Sequence, residues 1–188
     1  MKDLASIHRR ENLKRLLKPR HIAFVGGKAV EDCINATRKS GFTGDIWVVH
    51  PKYEELAGIP CVPSLADLPE LPDATLIAVS RERTIDVVAE LNAMGAGAAV
   101  SIAGEFAETG EDGAALQKRL VVAAGDLALV GPNCLGVMNM FDGAAVWGGD
   151  NVFEPVNGDG VALISQSGYV AYSITNVEEA LPLGYVIS

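Results

Sequence analysis

Five short segments of this 188-residue chain, each at or just after the end of an apolar run, carry charged or hydrogen-bonding side chains, three of them beside backbone bared by glycine. The first is Gly26-Gly27-Lys28, where missing side chains let an anion reach backbone N–H groups at the start of a helix and Lys28 adds charge. It is not a GxGxxG fingerprint, and the same residues also read as a tight turn with no ligand. The second is His50-Pro51-Lys52. A lysine just past a second strand can meet phosphate, whereas an acidic residue there would favour a ribose diol. Lys52 equally suits a solvated loop, and His50 reads as structural rather than catalytic. The third, Val79-Ser80-Arg81 with Arg83 close behind, offers two guanidinium groups shaped for phosphate, on a helical turn where charge also serves simply as a solvated face.

The fourth segment runs Ser101-Ile102-Ala103-Gly104-Glu105; its small residues open a crevice in which Ser101 or Glu105 can bond a ligand. The fifth is Gly131-Pro132-Asn133-Cys134. Here Asn133 can donate an amide, and Cys134 is either close to a reacting centre or a small buried residue, with nothing beside it to lower its pKa.

These segments need a scaffold that brings their ends together. Residues 4–17 carry Leu4, Ile7, Leu13, Leu16 and Leu17 among charges, an amphipathic lead-in helix within residues 1–19 that stops before Pro19. Apolar runs at 21–27, 45–50, 75–80, 98–103 and 127–130 then alternate with helical patterns at 30–41, 82–94 and 113–124, and a loop is expected through Pro60 and Pro63. Such alternation requires right-handed crossovers onto a parallel sheet. The expected fold is therefore α/β, a doubly wound, Rossmann-like, five-stranded sheet of order 3-2-1-4-5 over residues 20–139. In that fold ligands bind beyond the carboxyl ends of the strands, where the winding reverses.

Periodicity lapses from 140 to 159, where several glycines and Pro155 suggest an irregular connector or loose hairpin. A second strand–helix–strand pattern follows, with strands at 160–165 and 184–188 and a helix at 166–179. Such a unit has no further sheet against which to bury its faces, so residues 160–188 are expected to open a second domain of a longer or split polypeptide.

Composition excludes several classes. A net charge of -9 repels nucleic acid, and no apolar run is long enough to span a bilayer. Cys33, Cys61 and Cys134 lack ligand or disulfide spacing, so no metal is expected and a reducing cytoplasm fits best. An NAD(P)-dependent dehydrogenase is disfavoured by the missing fingerprint.

Two longer motifs, Gly131-Pro-Asn-Cys-Leu-Gly-Val-Met-Asn139 and Gly160-Val-Ala-Leu-Ile-Ser-Gln-Ser-Gly168, resemble those of NDP-forming acyl-CoA synthetases, relatives of the succinyl-CoA ligase α subunit. The resemblance covers roughly residues 13–188. Phe24–Lys28, Ile46–Pro51 and Asp142–Trp147 look most like the feruloyl-CoA-synthetase-like branch. It implies that Gly26, Gly27 and Lys28 face the diphosphate of coenzyme A, a substrate here, and that Pro51 and Lys52 meet its phosphoadenosine. Val79, Ser80, Arg81, Ile102, Ala103 and Gly104 would line the adenine and pantetheine side, with Asn133 and Cys134 near the thiol.

It further implies that the second motif opens a flavodoxin-like domain, in which Ser165, Gln166, Ser167 and Gly168 cradle phosphate through backbone N–H groups. The family reaction turns acid, CoA and NTP into acyl-CoA, NDP and phosphate through an acyl phosphate and a phosphohistidine. The three histidines here, His8, His21 and His50, all precede that domain, so no catalytic residue is assigned. The NTP, its Mg and the ATP-grasp domain or subunit are expected outside this chain. The competing reading is a non-catalytic CoA or nucleotide-binding regulatory module.

Overall fold

Strands that are covered on both faces must be apolar along their whole length, and β1 (His21–Gly26) is buried at all six residues. The computed structural model describes residues 4–177 and 181–188. Beside β1 in the main sheet run β2 (Asp45–Val49), β3 (Glu55–Leu56), β4 (Ile59–Val62), β5 (Ala74–Ala78), β6 (Ala98–Ser101) and β7 (Ala128–Val130). The order is β3-β4-β2-β1-β5-β6-β7, parallel throughout except for the short antiparallel β3.

This is the expected doubly wound α/β sheet, with one revision of which segment stands where. The 3-2-1-4-5 winding is present once β4, read from the sequence as loop, takes third place; Ala74–Ala78 is then fourth and lies against β1. Pro60 hid the strand. It cannot donate a ladder hydrogen bond, but β4 has only the two-residue β3 on its outer side and so tolerates it.

Alternation along the strands divides the core. Ile22 and Phe24, with Leu76 and Val100, face α1 (Leu4–Leu17) and α2 (Glu31–Lys39), whereas Val25, Val49 and Ile77 face α3 (Arg81–Met94) and α4 (Glu111–Ala124). Gly95, in the left-handed conformation at φ +80°, ends α3.

Residues expected as a connector contribute ordered structure. A hairpin of β8 (Gly136–Asn139) and β9 (Ala144–Trp147) packs on the α2 face, where the Thr37 hydroxyl donates to the Ala145 carbonyl at 2.8 Å. With β10 (Val161–Ile164) and β11 (Leu183–Ile187) it makes a second sheet of order β10-β11-β8-β9. Four-residue strands broken by glycine carry too little periodicity to be read from sequence. The final βαβ unit, β10, α5 (Gly168–Thr175) and β11, is therefore backed by the hairpin, because β11 pairs antiparallel with β8. The end expected for its helix, at Glu179, lies outside the described residues. Among those residues no helix is long and apolar enough to cross a membrane.

The amino-terminal ends of the strands are locked by one carboxylate. Asp73, buried just before β5, accepts from Arg15 Nε at 2.8 Å, from Arg20 Nε at 2.9 Å and from the Arg20 backbone N–H at 3.1 Å. Arg15 also reaches the Pro72 carbonyl, so α1, β1 and β5 meet at a single site. Burial opposes ionisation of Asp73, but hydrogen bonds from Arg20 and Arg15 outweigh it and hold the pKa at about 2, from an ordinary 3.8. The depressed pKa stabilises the fold above pH 4, and that contribution, about 2 kcal/mol, is lost as pH falls from about 4 to 2. Asp73→Asn, which leaves Arg15 half-buried without its charge partner, is expected to cost roughly 3 kcal/mol in urea unfolding at pH 7. It should also flatten the acid limb of the stability profile.

Candidate functional site

Parallel pairing sets the tips of β1, β2, β5, β6 and β7 at one end of the sheet. In register, Val25 stands beside Val49, Gly26 beside Ala78, Ile77 beside Ser101 and Val100 beside Val130. Two clefts open there.

The first, about 280 Å³, lies where the winding reverses. Gly26, Gly27, Pro51 and Val79 of the sequence assignment line it, joined by His50 and by Arg83 on α3. The two glycines have different reasons to be glycine. A Cβ on Gly26 would sit 2.8 Å from the Ala78 carbonyl oxygen and 3.0 Å from Val30, so this residue is small because β1 and β5 approach closely. A Cβ on Gly27 would meet only Tyr53 at 3.5 Å and His50 Nε2 at 3.7 Å, so the fold leaves its backbone bare without requiring it.

Lys28 and Lys52 are exposed at the rim and do not line the cleft. Among the described residues neither forms an ion pair. Ser80 caps α3, its hydroxyl accepting from the Arg83 N–H at 3.5 Å. Arg81 is turned away: Nε donates to Glu82 at 2.8 Å and Nη1 to the Glu105 carbonyl at 2.9 Å. Of the two guanidinium groups it is Arg83 that faces the cleft, with Val87 and Glu90 on the same side of α3. The sequence offered the pair without choosing, because facing depends on where α3 is capped.

The second cleft, about 620 Å³, joins the tips of β6 and β7 to the start of α5. Ile102, Asn133 and Cys134 line one side; Gln166 and Gly168 line the other. The Asn133 N–H donates to the Ala103 carbonyl at 2.9 Å, which pins the two loops together, and Gly104 lies in van der Waals reach of the Asn133 side chain. Gly148 is needed here, since a Cβ would fall 2.6 Å from Ile102. Leu135, Tyr169 and Tyr172 complete the lining. They escaped sequence reasoning because the sequence predicts only an irregular connector or loose hairpin here, with no indication that it would hold α5 against the main sheet.

The Ser165 hydroxyl donates to the Ser167 carbonyl at 3.0 Å and accepts from the Ser167 N–H. Ser167 caps α5 by accepting from the Val170 N–H at 3.3 Å. The Gly168 and Tyr169 N–H groups, in the first helical turn, have no intrahelical acceptor and can bind an anion. Ser101, offered as a ligand contact, is fully buried and faces no cleft, because its position on β6 points it into the sheet. Glu105 stays exposed, its N–H held by Glu108 at 2.7 Å.

The thiols are poor nucleophiles. Burial pushes the Cys134 thiol up to about 12 and the Cys33 thiol up to about 11, and the Cys134 Sγ donates to the Ser101 carbonyl at 3.4 Å. Cys134 is half-buried and lines the second cleft as an uncharged wall.

The first cleft reaches Val79 after β5 and the second Ile102 after β6, and these neighbouring strand ends are tied by the Ile102 N–H donating to the Ile77 carbonyl at 3.3 Å. Bare backbone at the reversal point and a second turn with free helix N–H groups beyond it mark a doubly wound α/β fold whose strand tips are open to a ligand. The chain belongs to the CoA binding domain family, which it matches over residues 20–140. It is 34% identical over 170 residues to a trans-feruloyl-CoA synthase from an unknown prokaryotic organism, covering 86% of this chain and 24% of that protein. It is 36% identical over 132 residues to the ADP-forming acetate–CoA ligase I of Archaeoglobus fulgidus, covering 68% and 19%. A solved structure of the dinucleotide-forming acetyl-coenzyme A synthetase 1 of Candidatus Korarchaeum cryptofilum, in complex with phosphate and ADP, superposes with a TM-score of 0.83 at 28% identity. That match covers 94% of this chain and 39% of the other. The chain thus spans between about a fifth and two-fifths of the length of these relatives.

Gly26→Ala is expected to lower stability by about 1–3 kcal/mol through overpacking between β1 and β5, while Gly27→Ala unfolds at the wild-type temperature; thermal melts of the two variants separate them. Iodoacetamide at neutral pH should leave Cys33 and Cys134 unmodified in the folded protein and label both in denaturant, as read by peptide mass.

Proposed function

We propose that this chain is the CoA-binding portion of an NDP-forming acid–CoA ligase, the enzyme class that makes acyl-CoA, NDP and phosphate from acid, CoA and NTP. The observation that carries the proposal is the pair of clefts along one row of strand tips: one at the winding reversal suits a nucleotide diphosphate, and the other ends on a helix start whose free N–H groups suit an anion. Gly27, Pro51 and Val79 take the nucleotide end, with Lys28, Lys52 and Arg83 supplying positive charge around it. Ile102, Gly104 and Asn133 guide the pantetheine arm, and Cys134 is an uncharged wall beside the thiol. The turn at Ser165–Gly168 holds the phosphoryl group of an acyl phosphate while the CoA thiol attacks the acyl carbon and phosphate leaves.

Division of labour follows from what these residues can do. They bind, orient and exclude water; none supplies a nucleophile, since the clefts' one thiol is held neutral. Residues 20–139 form the CoA-binding unit and 160–188 open a second α/β unit, with 140–159 joining them and lending β9 to the second sheet. The acyl phosphate is made by an ATP-grasp domain or subunit that also holds NTP and Mg, in the cytoplasm, where all three thiols stay reduced. The relatives' names support a carboxylic acid as the acyl donor.

Calorimetric titration of the chain with CoA and NAD tests the reading. CoA should bind more tightly than NAD, and Gly27→Ala, although folded, should weaken CoA because its methyl occupies space the ligand needs. Absence of CoA binding, or preference for NAD, overturns the proposal.

A further inference from the structure

His50 closes β2 and enters the first cleft with a hydrogen-bonding geometry set by its own loop. Its Nδ1 accepts two backbone N–H groups, from Lys52 and from Tyr53, each at 3.1 Å. A ring nitrogen that accepts carries no proton, so the N–H of the neutral imidazole lies on Nε2. That atom is 3.7 Å from where a Cβ on Gly27 would stand, and so it looks onto backbone that is left bare where the fold does not itself require it. The Tyr53 ring lies against the imidazole at a centroid distance of 4.3 Å and a tilt of 37°, which fixes the ring plane. Among the described residues Nε2 of His50 has no acceptor, and Arg83 faces the same space from α3.

We propose that His50 is a phosphate-binding residue, its Nε2–H donating to an oxygen of a phosphate group that rests on the Gly27 backbone. The inference builds on the nucleotide reading of the first cleft and adds a donor with a fixed tautomer to it. A purely structural His50 would need its Nδ1 contacts alone and would be indifferent to what occupies the cleft. The loop does the orienting: two amide bonds to one nitrogen hold the ring so that the other nitrogen stays a donor aimed at the ligand. A charge-assisted bond of this kind gives directional grip that a mobile lysine at the rim does not.

The test compares wild type, His50→Ala and His50→Gln of the 188-residue chain by calorimetric titration with CoA and with dephospho-CoA. Long-range 1H–15N spectra of the wild-type imidazole are recorded alongside. The alanine variant should bind CoA at least about tenfold more weakly, and glutamine, whose side-chain amide can donate near the Nε2 position, should recover much of that loss. Persistence of the loss with dephospho-CoA assigns the contact to the diphosphate; its disappearance assigns it to the 3'-phosphate. The spectra should show a protonated Nε2 that shifts when CoA is added while Nδ1 stays an acceptor. Unchanged CoA affinity in both variants, or an Nε2 that lacks its proton or ignores saturating CoA, overturns this inference and leaves the CoA-binding reading intact. Failure of the wild type to bind CoA overturns that reading itself.

Discussion

A parallel sheet covered on both faces leaves only the strand tips for a ligand, and the reversal of winding beside β1 decides which tips are open. β2 and β4 lie to one side of β1; β5, β6 and β7 lie to the other. Crossovers on the two sides depart in opposite directions, so no helix start covers the gap between β1 and β5. The close approach of those strands, with Gly26 against Ala78, keeps the gap narrow.

Two kinds of polar clustering serve opposite ends of this sheet. At the amino-terminal end Asp73 gathers Arg15, Arg20 and the Arg20 backbone N–H, satisfying a buried charge and clamping the lead-in helix to the strands. At the carboxyl end donors are left unspent: the backbone at Gly27, the first turn of α5 and the guanidinium of Arg83. Stability and binding are therefore separated along the strand axis. A change at Asp73 is felt as stability, whereas Gly27 has room for a methyl within the fold.

The second sheet shows how a weakly patterned segment can decide a site. The β8–β9 hairpin packs on α2, supplies β8 as antiparallel partner to β11, and through Gly148 lets the end of β9 touch Ile102. It thereby holds α5 over the tips of β6 and β7. Without that brace the Ser165–Gly168 turn and the Asn133 loop would be two unrelated anion-friendly turns; with it they share one cavity. The chain is only part of the length of its ligase relatives, and the cavity is where a thiol-bearing arm from the first unit would meet a phosphoryl group held by the second.

The sequence by itself determined the alternation of strands and helices, the parallel sheet, the glycine-rich tips and the serine turn, because each is written in local periodicity or in a short motif. It also marked Gly27, Val79, Ile102 and Asn133. Tertiary structure alone decided the rest. It made a strand of the proline-bearing Ile59–Val62, since an edge position forgives a missing N–H. It chose Arg83 over Arg81, since the cap at Ser80 sets the helical phase. It made His50 Nδ1 an acceptor of two loop N–H groups and raised the pKa of Cys134, since a tautomer and a thiol pKa depend on neighbours distant in the chain or folded back upon it. Those choices are collective, fixed by which surfaces meet, and no single stretch of residues encodes them.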